Sequence, residues 1–194
     1  PERPQREQKY LTAEELELIM TTPLHNARLY IVRDLFLFSC YTGVSYGDMC
    51  MLTKEDLVTD ENGTLWIRTS RKKTKVEYEV PLLEVPLHIL NKYRDVEPNG
   101  KLLPMYSNSD VNLSLKKIAA ICGINRRIVF HAARHTYATE ITLSHGVPLE
   151  TVSKMLGHKR ITTTQIYAKI TNDKIGQDMA ALSEKLSSVF KVAR

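Results

Sequence analysis

A chain of 194 residues, 43% hydrophobic and 25% charged, is long enough for one domain with a real core and is neither a disordered polyelectrolyte nor a membrane-embedded segment. Its formal net charge of +5 favours polyanionic partners, nucleic acid foremost, a balance that enzymes of small anions share. The longest apolar-leaning stretch, residues 29–52, is interrupted by Arg33, Asp34 and Asp48 and predicts no membrane span.

The start, residues 1–10, is polar and charged; it reads as a tail or linker, the opposite of a secretory signal, and points to a cytoplasmic protein. Thr12 with Glu15 three residues later forms a capping-box pattern for a first helix, with Leu16, Ile19 and Met20 as its apolar stripe and Pro23 as its end. A second helix is predicted over 26–40 with a stripe of Ile31, Leu35 and Phe38. Thr42-Gly43 breaks it, and 46–52 restarts a short helical run.

Residues 57–83 have a different grain. Asp60-Glu61-Asn62-Gly63 makes a turn, after which Leu65, Ile67 and Thr69 alternate with Trp66 and Arg68. Val76, Tyr78 and Val80 alternate again beyond a basic turn at 71–75. This predicts a small antiparallel sheet with a basic hairpin tip. Helical patterns return over 86–94, 111–122, 131–144, 149–156, 162–168 and 174–190, so the fold class is mostly α with one small antiparallel sheet. The three cysteines, Cys40, Cys50 and Cys122, are far apart, without zinc or redox spacing, and read as reduced, mostly buried thiols.

His131 and Arg134 stand at i and i+3 and share a helix face, with His135 beside them. Ile128, Val129, Phe130, Ala132 and Ala133 make the neighbourhood apolar, and an arginine fixed there needs an anion. Farther on, Gly157 is placed to end a helix striped with Leu149, Val152 and Leu156, and His158 follows it. Thr162, Thr163 and Thr164 open the next helix, able to cap it or touch a phosphate. Tyr167 comes nine positions after His158.

The series His131-Ala132-Ala133-Arg134-His135-Thr136, then Leu156-Gly157-His158, then Thr164 and Tyr167, resembles in order and spacing the C-terminal signature of the tyrosine recombinases. This is the integrase and site-specific recombinase family, whose chemistry is shared with type IB topoisomerases. The resemblance runs from about Leu11 to Tyr167. It implies a catalytic domain over 11–170 with the DNA breaking–rejoining fold. A helix over 171–194, striped with Ile175, Met179, Leu182, Leu186 and Phe190, then docks on its own domain or in trans on a neighbouring subunit. It further implies a separate N-terminal core-binding domain that this chain does not include.

The implied reaction uses neither metal nor nucleotide cofactor. A tyrosine hydroxyl, here Tyr167, attacks a phosphodiester of double-stranded DNA and leaves a 3′-phosphotyrosyl bond and a free 5′-hydroxyl, which later reverses the step. Arg134 neutralises phosphate charge, His131 is the expected base, His158 a donor to a phosphate oxygen, and Lys73 the acid for the leaving oxygen. Arg71, Lys72, Lys75, His135, Lys159 and Arg160 are expected DNA contacts. The expected assembly is a monomer when free and a homotetramer on DNA, with accessory DNA-bending or excision factors. Among family roles, integration or excision of a bacterial mobile element fits best.

One departure stands out. Where the family carries its first catalytic arginine, after Thr42-Gly43-Val44, this chain has Ser45, while Asp48 matches the acidic residue that follows and supports the site. Arg28, Arg33, Arg68 and Arg71 are the candidates to replace it, Arg33 being favoured because its helix leads into the Thr42-Gly43 turn; otherwise Ser45 itself donates a weaker hydrogen bond. Two readings from other classes stay open: a non-catalytic DNA-binding module of the same fold, and a metal-dependent nuclease or phosphatase using the histidines as ligands.

Overall fold

A computed structural model describes residues 9–96, 100–168 and 172–187. The stretch 1–10 therefore lies outside the described residues except for Lys9 and Tyr10. Helix α1 (Ala13–Thr21) starts on the expected capping box, with Thr12 Oγ1 accepting from Glu15 N–H and the Glu15 carboxylate accepting from Thr12 N–H. Leu16 and Ile19 face the core, whereas Met20 points outward. Arg126 donates to the Glu15 carboxylate and to the Tyr10 carbonyl, and Leu11 N–H donates to Thr136 Oγ1 at 2.9 Å, which ties the chain's entry to the fold.

Helix α2 (Ala27–Thr42) is the central element. Asn26 caps it, and it packs against α4 (Glu84–Tyr93), α5 (Asn108–Ile121) and α6 (His131–Thr136). Surrounded on several sides, it buries Val32, Leu35, Phe36, Phe38 and Cys40 completely, while Ile31 is only half-buried. A stripe of Ile31, Leu35 and Phe38 is thus too narrow a description; a helix at the centre of a bundle is apolar nearly all round. Phe36 meets Phe130 edge to face at 6.0 Å, and Tyr46 meets it in the same manner at 5.7 Å.

After the short α3 (Tyr46–Met49), strands β1 (Leu57–Thr59), β2 (Leu65–Ser70) and β3 (Glu77–Pro81) form an antiparallel sheet in that order. Ile67 pairs with Val80 and Thr69 with Tyr78, so the alternation buries Ile67, Val80 and Tyr78 and leaves Arg68, Glu77 and Glu79 outside. The architecture is the expected one, mostly helical with a single small antiparallel sheet.

The pattern read as one helix over 131–144 divides. α6 passes into a π-helical turn (Tyr137–Thr142), where Thr142 Oγ1 donates to the Tyr137 and Ala138 carbonyls, then into a 3-10 turn (Leu143–His145). α7 (Leu149–Met155) follows and packs on β3. α8 (Thr162–Gln165) is a single turn, so Tyr167 stands beyond it in a turn rather than inside a helix. α9 (Asn172–Ser187) exposes Met179, Leu182 and Leu186. Phe190 and the side chain of Ile175 lie outside the described residues.

Candidate active site

Arg134 is the hub. It is 3% exposed, yet forms no ion pair among the described residues. Nη1 donates to the Gly43 carbonyl at 2.7 Å, and Nη2 donates to the Leu156 carbonyl and lies 3.0 Å from His158 Nε2. Burial first and the neighbouring Arg71 second lower its pKa to about 10, which leaves it a cation at neutral pH. Gly43 is what lets the carbonyl approach. Its backbone is left-handed (φ 69°), and a Cβ there would stand 2.5 Å from Tyr137 Cδ1 and 2.8 Å from Leu156 Cδ2. A cleft of about 380 Å³ beside Arg134, lined also by Ser45, Tyr46, Asn112, Phe130 and His131, opens the cluster to solvent.

His158 is half-buried, with Nδ1 2.7 Å from Thr164 Oγ1. If Arg134 donates to Nε2, the proton sits on Nδ1, pointing at Thr164. His158 then becomes a donor to phosphate only by gaining a proton or exchanging tautomers. Burial, followed by Arg134 and Arg71, pushes its pKa down to about 4, so it is neutral at rest. Of the threonines, Thr164 is fully buried on His158, whereas Thr162 and Thr163 are exposed. His131 is lowered in the same direction, first by burial and then by Arg134 and Arg71, which suits a proton acceptor.

Tyr167 is half-buried and its hydroxyl makes no hydrogen bond among the described residues. Burial raises its pKa, while the charges of Arg134 and Arg71 pull it back. Its ring meets His135 at 5.1 Å, and His135 meets His131 at 4.7 Å.

The arginine nearest this cluster is neither Arg33 nor one from Ser45. Arg33 donates to the Thr22 carbonyl at 2.9 Å and stacks on Tyr30, 4.3 Å from the ring centre. It sits nine residues, roughly 14 Å of helix, before Thr42. Its expected place in the site is corrected on that ground. Arg28 pairs with Asp110 and Arg68 with Glu79, both away from the cluster. Ser45 caps α3 and donates its hydroxyl to Asp48 Oδ2 at 2.8 Å, so that proton is already engaged.

Arg71, expected only as a DNA contact or one of several substitutes, is the one brought in. It follows β2 directly and its Nη1 donates to Asp48 Oδ2 at 2.7 Å. The charge of Arg71 is felt by His131, Arg134, His158 and Tyr167 alike. Its stem crosses Gly157, also left-handed (φ 61°), where a Cβ would stand 2.7 Å from Arg71 Cγ. Asp48 is 4% exposed and also accepts from the Lys72 N–H at 2.9 Å and from Tyr78 Oη at 3.4 Å. One buried carboxylate therefore holds both the arginine and the root of the basic hairpin.

Lys72, Lys73 and Lys75 are exposed at the hairpin tip, and Lys73 makes no hydrogen bond among the described residues. Lys75 closes the turn in the left-handed region (φ 57°), its N–H donating to the Arg71 carbonyl. Lys159 and Arg160 are exposed beyond His158. Among the described residues no three His, Cys, Asp or Glu side chains converge as a metal site, which the metal-dependent reading requires.

The chain belongs to the phage integrase family, whose model matches residues 9–174. Among curated relatives, the tyrosine recombinase XerC of Neisseria gonorrhoeae (strain ATCC 700825 / FA 1090) is 29% identical over 188 residues, covering 91% of this chain and 60% of that protein. The chain thus spans about three-fifths of the length of that relative. Among solved structures, the XerH site-specific recombinase bound to palindromic difH substrate superposes with a TM-score of 0.71 at 21% identity, covering 91% of this chain and 53% of that one. The Tn1549 transposon integrase with a circular intermediate DNA gives 0.69 at 19% identity, covering 91% and 67%. These two likenesses establish the fold.

Proposed function

We propose that this chain is the catalytic domain of a site-specific tyrosine recombinase that cuts and rejoins DNA for integration or excision of a mobile element. The observation that carries the reading is a buried Arg134 and a second guanidinium, Arg71, acting on one tyrosine hydroxyl, where among the described residues Arg134 has no ion pair and the hydroxyl no hydrogen bond. Asp48, a single buried carboxylate, pairs with Arg71 alone of the two guanidiniums, and the positive charge left over suits a phosphate. XerH is solved on its difH substrate and the Tn1549 integrase on a circular intermediate DNA, which supports a DNA phosphodiester as that anion.

Tyr167 Oη attacks phosphorus and the bond from phosphorus to the 5′-oxygen breaks. Arg134 and Arg71 take the charge developing on the non-bridging oxygens. His131 accepts the phenol proton, Lys73 protonates the 5′-oxygen once the exposed hairpin closes on DNA, and His158 donates to a phosphate oxygen after gaining a proton there. In the reverse step a 5′-hydroxyl attacks the 3′-phosphotyrosyl bond and releases Tyr167. Arg71 takes the role expected of the arginine missing at Ser45, held by Asp48. Lys72, Lys75, Lys159 and Arg160 contact the DNA backbone. The working form is a homotetramer on DNA, monomeric when free, assisted by accessory DNA-bending or excision factors in the cytoplasm of a bacterium. The non-catalytic reading drew its support from Ser45, and Arg71 takes that support away.

The test uses duplex DNA with a 5′-bridging phosphorothiolate, whose sulfur leaves without an acid. Wild type and Lys73→Ala should form a covalent adduct and Tyr167→Phe none. Arg71→Ala should form it about 10²–10³-fold more slowly. Arg33→Ala should lower Tm without slowing the folded enzyme. No adduct in wild type while DNA still binds would return the non-catalytic module to first place, and an adduct in Tyr167→Phe would mean that another side chain is the nucleophile.

A further inference from the structure

The segment that carries Tyr167 is thinly anchored. α8 is one turn, Ile166 is 67% exposed, and the inward attachment within that turn is Thr164, buried against His158. Two backbone bonds follow, Tyr167 N–H to the Thr164 carbonyl and Ala168 N–H to the Gln165 carbonyl, and both are internal to the segment. Neither bond nor the Thr164 contact sets the rotation of the Tyr167 side chain. A phenol must stand in line with the bond it breaks, so that rotation has to be set by something else.

Residues 131 and 135 lie one turn apart on α6, and their rings meet at 4.7 Å and 89°. The Tyr167 ring continues the series, 5.1 Å from His135 at 72°. The two rings stand on one helix, His131 exposed and His135 half-buried, and the third ring rests edge-on against His135, the geometry aromatic pairs prefer. α6 is itself immobilised through Ala133 and Arg134, each at most 3% exposed.

His135 has no hydrogen bond on either ring nitrogen among the described residues. It is pushed down to about 4, first by burial, then by His131, Lys9 and Arg134. It therefore presents an uncharged ring. An imidazolium there would add a third cation beside Arg134, while a neutral ring adds only surface.

We propose that His135 is a positioning residue for the nucleophile. Its neutral ring, 5.1 Å from that of Tyr167, fixes the tyrosine side chain in one orientation for attack. This assigns His135 a part in the chemistry through Tyr167, in place of the DNA contact its sequence position suggests, and it rests on the recombinase reading above. What the site requires at position 135 is a flat, uncharged ring, not a proton donor or acceptor.

The experiment measures single-turnover adduct formation on the phosphorothiolate duplex at saturating DNA, with Kd and Tm in parallel, for wild type, His135→Ala, His135→Phe and Tyr167→Phe. His135→Ala should slow adduct formation at least about tenfold with Kd unchanged, and His135→Phe should recover the rate to within about threefold of wild type with the same pH profile. The proposal is overturned if folded His135→Phe is as slow as His135→Ala, since an imidazole nitrogen is then at work. It is equally overturned if His135→Ala weakens Kd alone, which is a DNA contact. Should His135→Ala fail to fold, the rate and pH profile of His135→Phe decide by themselves. No adduct in wild type counts against the recombinase reading itself, an outcome the Tyr167→Phe control keeps separate from failure at position 135.

Discussion

Protonation of the cluster's histidines is governed first by burial and then by neighbouring charge, that of Arg134 at all three and of Arg71 at His131 and His158. His135 and His158 are both lowered to about 4 from an unfolded value of about 6.5. Between those values the unfolded chain binds protons that the folded chain refuses, so stability rises with pH across the window and is lost as pH falls through it. Tm should be level above about pH 7 and decline steadily from about 6.5 towards 5. His131 is lowered as well, and His135→Phe should make that decline shallower, since one of these three groups is removed. Carboxylates held low in the fold, such as Glu15 beside Arg126, add their own losses only at lower pH. A thermal-melt series between pH 5 and 8 reads the histidines alone, and an unchanged slope in His135→Phe would contradict the assignment. Bound phosphate works in the opposite direction, since an anion beside His158 favours the imidazolium and so readies it as a donor.

Three elements must meet for the cluster to exist, and two glycines decide how closely. The turn after α2 delivers the Gly43 carbonyl to Arg134, the end of α7 delivers the Leu156 carbonyl, and the β2–β3 hairpin lays Arg71 across Gly157. Gly43→Ala would incur the left-handed penalty of about 1–2 kcal/mol and an overpacking cost of about 1–3 kcal/mol against Tyr137 and Leu156. It should therefore lose roughly 2–5 kcal/mol of stability by denaturant titration. Because the same carbonyl orients Arg134, the fraction still folded should also cleave more slowly. Full activity per folded molecule would mean that Arg134 is held by Leu156 and His158 without Gly43. The π turn after α6 belongs to the same scale: it keeps Tyr137 against Gly43 while the chain turns towards α7.

At the scale of the molecule, α9 presents Met179, Leu182 and Leu186 at 57%, 45% and 43% exposure on a helix with a strong apolar side. These three side chains contribute little to the stability of their own domain. Replacing all three with glutamine, which keeps helix propensity, should leave Tm unchanged but should reduce the number of protomers assembled on DNA, measured by light scattering of the complex. A fall in Tm would show that they pack on their own domain. Assembly of the same size would remove this face from the interface.

Much of this was legible from residue order alone. Thr12 with Glu15 and the alternation around Ile67 and Val80 announce a cap and a hairpin through local rules, side-chain reach and period two, while the series from His131 to Tyr167 carries the resemblance to the recombinase family. A lone sequence also places Ser45 where an arginine is expected, and so poses the question of its substitute. It could not answer that question, because Arg33 is near in the chain yet turned to Thr22 and Tyr30, while Arg71 is 26 residues from Ser45 and arrives by strand pairing. The only local hints were Asp48, an acid needing a cation, and Gly157, a glycine needing a neighbour. Likewise, that Tyr167 follows a single helical turn and leans on His135 depends on how α6 and α8 pack. Periodicity determines which face of an element is apolar; which charged side chains converge is decided only when distant elements close around buried Arg134 and Asp48.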